Sequence, residues 1–378
     1  MPWQEQSTMS LRQEFVALAM QEGIPVQELC QRYTITPKTA YKWLQRARQG
    51  EPDWAADHSR RPHTSPGRTA PEVEAAVVAS RLAHATWGGR KLHHLLRQQG
   101  VEQVPAPSTI TDILRRHDLL DAERSRDQRP PQRFEHPEPN DLWQLDFMGH
   151  LALAQGRVHP MTLIDDHSRF ALGVFACAHQ QGALVQELLI SVFRRFGLPM
   201  ALLTDNGPPC GPSGRGGITG LEAWLIRQGI RVCHGRPYHP QTQGKIERLH
   251  RTLAADVTRT RRFADLATAQ DAFDHWRGVY NHERPHEALA YQVPAARYRP
   301  SPFPFAETLP PIEYALDDAV RTVRSQGAIS FQNRSYFISR GLIGLPVAVR
   351  PTTIDGVFAV FFCHQQVAIL DLTDRSKV

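Results

Sequence analysis

The chain has 378 residues, 41% hydrophobic and 22% charged, with 44 Lys and Arg against 38 Asp and Glu for a net charge of +6. That length predicts two to four domains, and the composition is that of a folded chain able to bury sizeable cores. No apolar run is long enough to span a bilayer, and the start, MPWQEQSTMS, lacks a signal peptide's basic start and apolar core, so a cytoplasmic location is expected. Cys30, Cys177, Cys210, Cys233 and Cys363 form no CxxC pair, which excludes a zinc ribbon or a disulfide framework.

The positive charge is uneven. Residues 36–68 hold seven Lys or Arg against three acids, residues 248–262 five Arg against one Asp, and residues 301–378 seven against seven. Basic stretches of this kind suit a polyanionic partner.

In chain order, residues 10–49 read as three short helices. Leu11, Phe15, Val16 and Leu18 stripe the first, and Val26, Leu29 and Cys30 mark the second. The third opens with Thr36 as N-cap and Pro37 at its first position, with Ala40, Trp43, Leu44 and Ala47 as its inner face. Lys38, Thr39, Tyr41, Lys42 and Gln45 then point outward as a polar, basic set suited to a major groove, which is a helix-turn-helix reading. A Pro-, Ser- and Arg-rich linker follows over 51–69, where Arg60 and Arg61 are candidates to track a DNA backbone. A second helical trio is predicted at 71–84, 88–99 and 108–116. Ser108 is its candidate N-cap, and Val77, Val78, Leu82, Leu92, Leu95, Leu96, Ile110, Ile113 and Leu114 are its candidate core.

From Leu142 the pattern changes to strands, over 142–153, 158–164 and 170–178. A helix over 182–196, a strand over 200–203, a helix over 221–228 and a strand over 230–233 follow, then long helices over 241–262 and 265–281. This order implies a mixed sheet with helices on its faces. The tail from Val320 to Leu372 alternates apolar and polar residues. Its hairpin signals at 332–335 and at Asp355-Gly356 predict a small β-barrel or meander. The expected architecture is therefore multidomain. A first helix-turn-helix domain spans 8–50 and a basic linker 51–69. A second, winged-helix-like unit spans 70–120 and another linker 121–132. A central α/β domain spans 133–300, and a small β-barrel closes the chain over 310–378.

Three acids stand out. Asp146 lies within an apolar strand between Leu145 and Phe147, Asp205 closes the strand ALLT, and Glu247 sits on a helix whose buried stripe is Ile246, Leu249, Leu253 and Val257. Carboxylates gathered at buried strand ends repel one another and lose hydration, so together they make sense as a cage for hard divalent cations. Two ions about 4 Å apart would activate a water or a 3′-hydroxyl and stabilise the leaving oxygen at phosphorus. Oxygen-only ligands favour Mg2+, with Mn2+ as a substitute. Taken singly, Asp205 before Asn-Gly also reads as a turn former, and Glu247 as half of a helical pair with Arg251. Asp165 and Asp166 are rival acids, but Asp-His-Ser reads as a turn.

The motifs LWQLDFMG, LIDDHSRF, LLTDNG, HGRPYHPQTQGKIERLHRTL and YNHERPHEAL, recurring in this order over roughly 133–298, resemble the catalytic core of bacterial insertion-sequence transposases of the DDE type. That family is related in fold to retroviral integrases and built on a ribonuclease H-like sheet. The resemblance implies Asp146, Asp205 and Glu247 as the catalytic, metal-holding acids. It departs from the family pattern in a longer interval between Asp205 and Glu247, around CGPSGRGG (210–217), and lacks the integrases' HHCC zinc module. It further implies an enzyme that binds the terminal inverted repeats of its element, cleaves there, and joins the ends to target DNA as at least a dimer. Lys245, Arg248 and Arg251, on the helix of Glu247, become candidate phosphate clamps, with surface ion pairing as the other reading. His239, Gln241 and Gln243 are candidates to line the approach to the scissile bond. Asn281, Arg284, Pro285 and His286 match a family motif without an assigned mechanism, and read from the residues as a helix-terminating turn. The competing expectation is a domesticated sequence-specific DNA-binding protein with a silent core.

Overall fold

The computed structural model describes residues 7–21, 23–50, 52–58, 67–120, 135–205, 207, 209–211, 217–235, 244–259 and 261–373. Two compact units are present, Met1–Arg68 and Thr69–Val378.

In the first unit, α1 (Thr8–Ala19), α2 (Val26–Arg32) and α3 (Pro37–Arg48) pack around Phe15, Val16, Leu29, Cys30, Ala40, Trp43 and Leu44. The Thr36 hydroxyl accepts the Thr39 amide at 3.3 Å, and Pro37 takes the first helical position, where its missing N–H costs nothing. Trp43 anchors the unit: it is buried, and the guanidinium of Arg12 lies 4.0 Å from its ring centre. Leu11, expected on the inner stripe, stays exposed.

The second unit begins with α4 (Pro71–Ala83), α5 (Gly89–Gln98) and α6 (Pro107–Arg116), packed around Val77, Trp87, Leu92, Leu96, Ile110, Ile113 and Leu114. Two expectations fail here. Ser108 lies inside α6, because Pro107 already fills the first turn and Ala106 occupies the cap without a side-chain bond. Leu82 is 67% exposed. Five residues beyond Val77 it falls off the buried face of α4, which Ser80 and Arg81 continue. Helices α5 and α6 cross at Gly89, where a Cβ would lie 2.4 Å from the Pro107 carbonyl oxygen.

The core sheet contains β1 (Trp143–Phe147), β2 (Leu151–Ala152), β3 (Arg157–Asp165), β4 (Ala171–Cys177), β5 (Ala201–Thr204) and β6 (Arg231–His234). Strands β4, β3 and β1 are antiparallel neighbours, while β5 and β6 continue from β1 in parallel. The single strand predicted over 142–153 is split into β1 and β2 around Gly149, whose φ of +89° breaks the extended run. Helices α7 (Gly182–Phe196) and α8 (Gly220–Arg227) share one apolar cluster with Leu163, Leu172 and Leu202. Helices α9 (Gly244–Leu253) and α10 (Leu266–His282) share another with Ile164, Ala171 and Val174. The sheet is thus filled on both faces, which is why its strands read as near-continuous apolar runs.

The long helix expected over 241–262 is α9 followed by a π-helical turn, Ala254–Thr258; residues 241–243 lie outside the described residues. The extra residue of the π turn keeps Val257 buried in line with Ile246, Leu249 and Leu253. Asn281 near the end of α10 fastens that helix to β4. Its amide donates to the Ala171 carbonyl at 2.9 Å and accepts the Ala171 N–H at 2.8 Å.

The C-terminal strands are β7 (Ala319–Thr322), β8 (Ala328–Phe331), β9 (Arg334–Phe337), β10 (Pro346–Pro351), β11 (Val357–Phe362) and β12 (Gln365–Asp371). They form a four-stranded antiparallel sheet in the order β12-β11-β10-β7 and a separate β8-β9 hairpin turning at Gln332-Asn333, both at positive φ. Backbone pairing does not close these sheets into the expected barrel. Their apolar side joins the α7 and α8 cluster instead, through Val347, Val349, Val360 and Phe362. Gln365 also supplies β6 with a substitute neighbouring strand: its amide accepts the Val232 N–H at 2.9 Å and donates to the Val232 carbonyl at 3.0 Å. Among the described residues, no helix is long and apolar enough to cross a membrane.

Replacing Asn281 by Ala leaves the Ala171 N–H and C=O buried and unpaired, which should cost about 2–4 kcal/mol. The expected result is a melting temperature several degrees lower by calorimetry, with the fold retained by circular dichroism.

Candidate active site and nucleic-acid interface

The parallel register aligns Trp143 with Leu202 and Gln144 with Leu203. Continued two residues, it brings Asp146 level with Asp205, and level residues of parallel strands project to the same side. Helix α9 lies against β1 and β3 by its buried stripe, which leaves Glu247 exposed at the edge. Both other acids act on Asp146 through their charge. Burial, then the charge of Asp205, then that of Glu247 push the Asp146 carboxyl up to about 6, against the opposing hydrogen bond from the Phe147 N–H. That bond, 2.8 Å to Oδ1, fixes one carboxylate oxygen. Among the described residues, no three His, Cys, Asp or Glu side chains are yet drawn together closely enough to hold a metal ion.

Each acid has a local reason for its placement. Thr162, opposite Asp146 on β3, donates its hydroxyl to the Asp146 carbonyl at 3.1 Å. Asp205 sits over Gly207, where a Cβ would come within 2.7 Å of Oδ2, so the glycine of TDNG makes room for the carboxylate. His234 at the end of β6 lies 3.4 Å from the Asp205 carbonyl through Nδ1 and 2.6 Å from the fully buried Glu222 through Nε2. The hydrogen bond with Glu222 raises the His234 pKa. This chain from α8 through β6 braces the backbone at Asp205.

The integrase core domain family matches residues 136–240 and, in a second description of that domain, 228–294. The C-terminal domain of IS481 family transposases matches residues 318–378. The chain is thus similar over its central part to integrase cores and over its last part to a transposase C-terminal domain. Homeodomain-like domains match residues 7–55 and 39–114, which cover both helical trios and imply DNA binding. An insertion element IS476 protein of Xanthomonas euvesicatoria is 28% identical over 60% of this chain, and the match spans 64% of that protein's length. An insertion element IS407 protein of Burkholderia multivorans is 29% identical over 61% of this chain and 84% of its own. The catalytic core domain of BIV integrase aligns over 42% of this chain and 92% of that one, at 22% identity and a TM-score of 0.32.

The other expected residues divide. Lys38, Tyr41, Lys42 and Gln45 are exposed on α3 and Thr39 is half-buried, while the Lys42 ammonium leans 4.7 Å from the Trp43 ring centre. Arg248 and Arg251 are exposed on α9. Lys245 is a correction. Its ammonium turns inward and bonds the Asp166 carboxylate and, at 3.1 Å, the Asp166 carbonyl. It is committed to the fold because a half-buried ammonium needs a partner more than a solvated phosphate does. Arg60, Arg61, His239, Gln241 and Gln243 lie outside the described residues. Asp165 and Asp166 are buried and saturated. Asp165 accepts the Asn140 and Ser168 amides at 2.8 and 2.7 Å, and Asp166 accepts the Gln144 amide at 2.8 Å and the His136 N–H at 2.9 Å.

The residue that sequence reasoning missed is His250. One turn beyond Glu247, its Nε2 lies 2.7 Å from the Thr162 hydroxyl and its Nδ1 3.8 Å from Asp146 Oδ2. Burial pushes its pKa down to about 4, so the ring stands neutral beside the acid. The available signal was its spacing of three from Glu247, flanking the Leu249 and Leu253 stripe.

Two outcomes check this geometry. Asp146 has a folded pKa raised above its ordinary value, so its proton stabilises the fold fully below about pH 4, and that contribution is lost as pH rises through about 6. Asp146→Asn should therefore stabilise the fold in chelator above about pH 6, by at most about 3 kcal/mol and read as a higher melting temperature, and change little below about pH 4. Gly207→Ala should displace the Asp205 carboxylate while keeping the melting temperature within a few degrees, read as lost divalent-cation stabilisation in the same assay.

Proposed function

We propose that this chain is a DDE transposase that binds the terminal inverted repeats of its insertion sequence, cleaves the element ends and joins their 3′-hydroxyls to target DNA. The observation that carries the reading is Asp146: the charges of Asp205 and Glu247 both act on its half-buried carboxyl and disfavour its ionised form. An all-carboxylate donor set under that strain fits a pair of magnesium ions, with manganese as a substitute. When bound, the metal would sharpen a hydroxyl nucleophile and stabilise charge on the phosphodiester.

In this reading Asp146, Asp205 and Glu247 hold the ions. The Phe147 N–H and Thr162 keep Asp146 oriented, and the neutral His250 adds no competing charge beside it. The exposed face of α3 reads the major groove through Lys38, Tyr41, Lys42 and Gln45, with Thr39 at its margin. Arg60 and Arg61 follow the backbone, and Arg248 and Arg251 contact phosphates next to the acids. Division into helix-turn-helix domains at 8–50 and 70–120, a core at 133–300 and a C-terminal domain at 310–378 accompanies this assignment. Both element ends must be held at once, so at least a dimer assembles on DNA, in the bacterial cytoplasm at the nucleoid.

The test is purified full-length protein with magnesium on duplex DNA from the flanks of its gene. Wild type should nick and join these ends. Asp146→Asn, Asp205→Asn and Glu247→Gln should each fall to background while still shifting the same duplex in a gel. Equal cleavage by Asp205→Asn and wild type would sink the assignment.

A further inference from the structure

The second helical unit is joined to α9 and α10 by a polar seam centred on one carboxylate. Asp256, on the π-helical turn after α9, accepts the Thr86 hydroxyl at Oδ1. Its Oδ2 accepts the Trp276 indole N–H at 2.9 Å and the Arg284 guanidinium at 3.0 Å. Thr86 lies in the turn between α4 and α5, and its neighbour Trp87 is buried in the core of the helical unit. The Trp87 carbonyl accepts Arg81 of α4 at 2.8 Å, which fixes that turn to its own unit. The Arg284 guanidinium faces the Trp87 ring 5.9 Å from its centre, and Val279 of α10 packs into the same apolar cluster. His94 of α5 stacks on Tyr291 with ring centres 4.2 Å apart. Arg284 comes from the motif YNHERPHEAL, for which the sequence offered no mechanism.

These contacts make a short path from a DNA-reading element to a proposed catalytic acid. Helix α6, the second of the α5–α6 pair, leaves Ser108, Thr109, Asp112 and Arg115 exposed, as a groove-reading helix would. It abuts α5 at Gly89, where a Cβ would lie 2.4 Å from the Pro107 carbonyl oxygen and 2.6 Å from the Thr111 hydroxyl. Thr86 stands three residues before Gly89, and its acceptor Asp256 nine residues after Glu247. We propose that the Thr86–Asp256–Arg284 seam determines which phosphodiester is cut, by holding α6 at a fixed distance from Glu247. The proposal rests on the transposase reading.

The distances set the tolerance. Successive phosphates of one strand are about 3.4 Å apart along the duplex axis. A slide of α6 against α9 by half that step would bring the acids to a neighbouring phosphodiester. Nine helical residues span about 13 Å and bend little over so short a length, so slack would enter at the joint. Apolar surfaces slip past one another at small cost, whereas hydrogen bonds weaken steeply with distance and angle. Here three donors, from the α4–α5 turn, from α10 and from the segment after it, meet on one carboxylate. A shift of any one element strains the bonds of the other two. The Arg284 and Asp256 side chains are only 9% and 15% exposed. An ion pair taken out of water to that extent returns little net stability, so its use lies in fixing geometry.

The experiment compares full-length wild type, Thr86→Val, Thr86→Ser and Asp256→Asn on a labelled duplex from the gene's flank, with magnesium. Cut positions are read at single-nucleotide resolution, with gel-shift affinity and thermal melting alongside. Wild type should cut at one dominant position. Thr86→Val and Asp256→Asn should raise the share of cuts at adjacent phosphodiesters on the order of tenfold, the weight of one hydrogen bond to a charged group. Their affinity for the duplex should not change, because neither residue lies on the exposed face of α6. Thr86→Ser, which keeps the hydroxyl, should retain the single position. Thr86 is half-buried in a turn, so Thr86→Val carries the test even if Asp256→Asn does not fold. An unmoved, single cut position in the folded variants overturns the proposal, even where total product falls with the melting temperature. Equal spreading in Thr86→Ser, or scattered cuts by wild type, also overturns it. Wild type that binds the duplex and cuts nowhere removes the transposase reading, and the proposal with it.

Discussion

Like charges held at the ends of two buried parallel strands are the constraint around which the core is arranged. Asp146 lies level with Asp205 because β1 and β5 pair in parallel, and both protrude where a sheet covered on each face first meets solvent. Glu247 is left on the exposed edge of α9 because that helix buries its apolar stripe of Ile246, Leu249 and Leu253. Burial, then the charges of Asp205 and Glu247, raise the Asp146 pKa. The Phe147 N–H holds the Asp146 carboxylate, Thr162 and the Glu222–His234 chain brace the backbone at Asp146 and Asp205, and Gly207 leaves room for the Asp205 carboxylate. A neutral His250 fits the same logic, since a cation fixed there would already have relieved the repulsion.

The same region shows how the rest of the second unit is tied to the core. The C-terminal sheet shares the apolar cluster of α7 and α8, and Gln365 takes the place of a missing strand beside β6. On the other side the Asp256 seam holds the second helical trio to the end of α10. Burial of large apolar groups such as Trp87 and Phe362, at roughly 1.5–3 kcal/mol each, makes both attachments part of the fold rather than loose contacts. Asp256 lies nine positions beyond Glu247 on one nearly continuous helical segment, so the recognition unit and the proposed catalytic edge share a mechanical element.

Elements with strong local signals were legible in the chain. Thr36-Pro37 announced α3, and the helices expected over 182–196 and 265–281 appear as α7 and α10, because caps, proline and apolar periodicity act within a few residues of themselves. The candidate acids were legible for a related reason: a carboxylate within an apolar strand, as at Asp146, has few benign explanations. Less visible were features decided at a distance. Leu82 reads as core in any periodic pattern and is exposed, since the neighbouring helices cover the other face of α4. Lys245 sits among basic neighbours that suggest a phosphate clamp, yet Asp166, remote in sequence, claims it.

The sequence alone thus determined the helical trios and the strand and helix order of the core, because propensity, capping and burial pattern are local properties. Only the tertiary structure decided that Asp146 lies level with Asp205 in strand register, that His250 stands neutral beside Asp146, and that the C-terminal strands remain open sheets packed on the core. Each of these depends on strand register or on surfaces contributed by residues far apart in the chain. Coulombic and packing energies are set by distance in space, which sequence spacing does not encode.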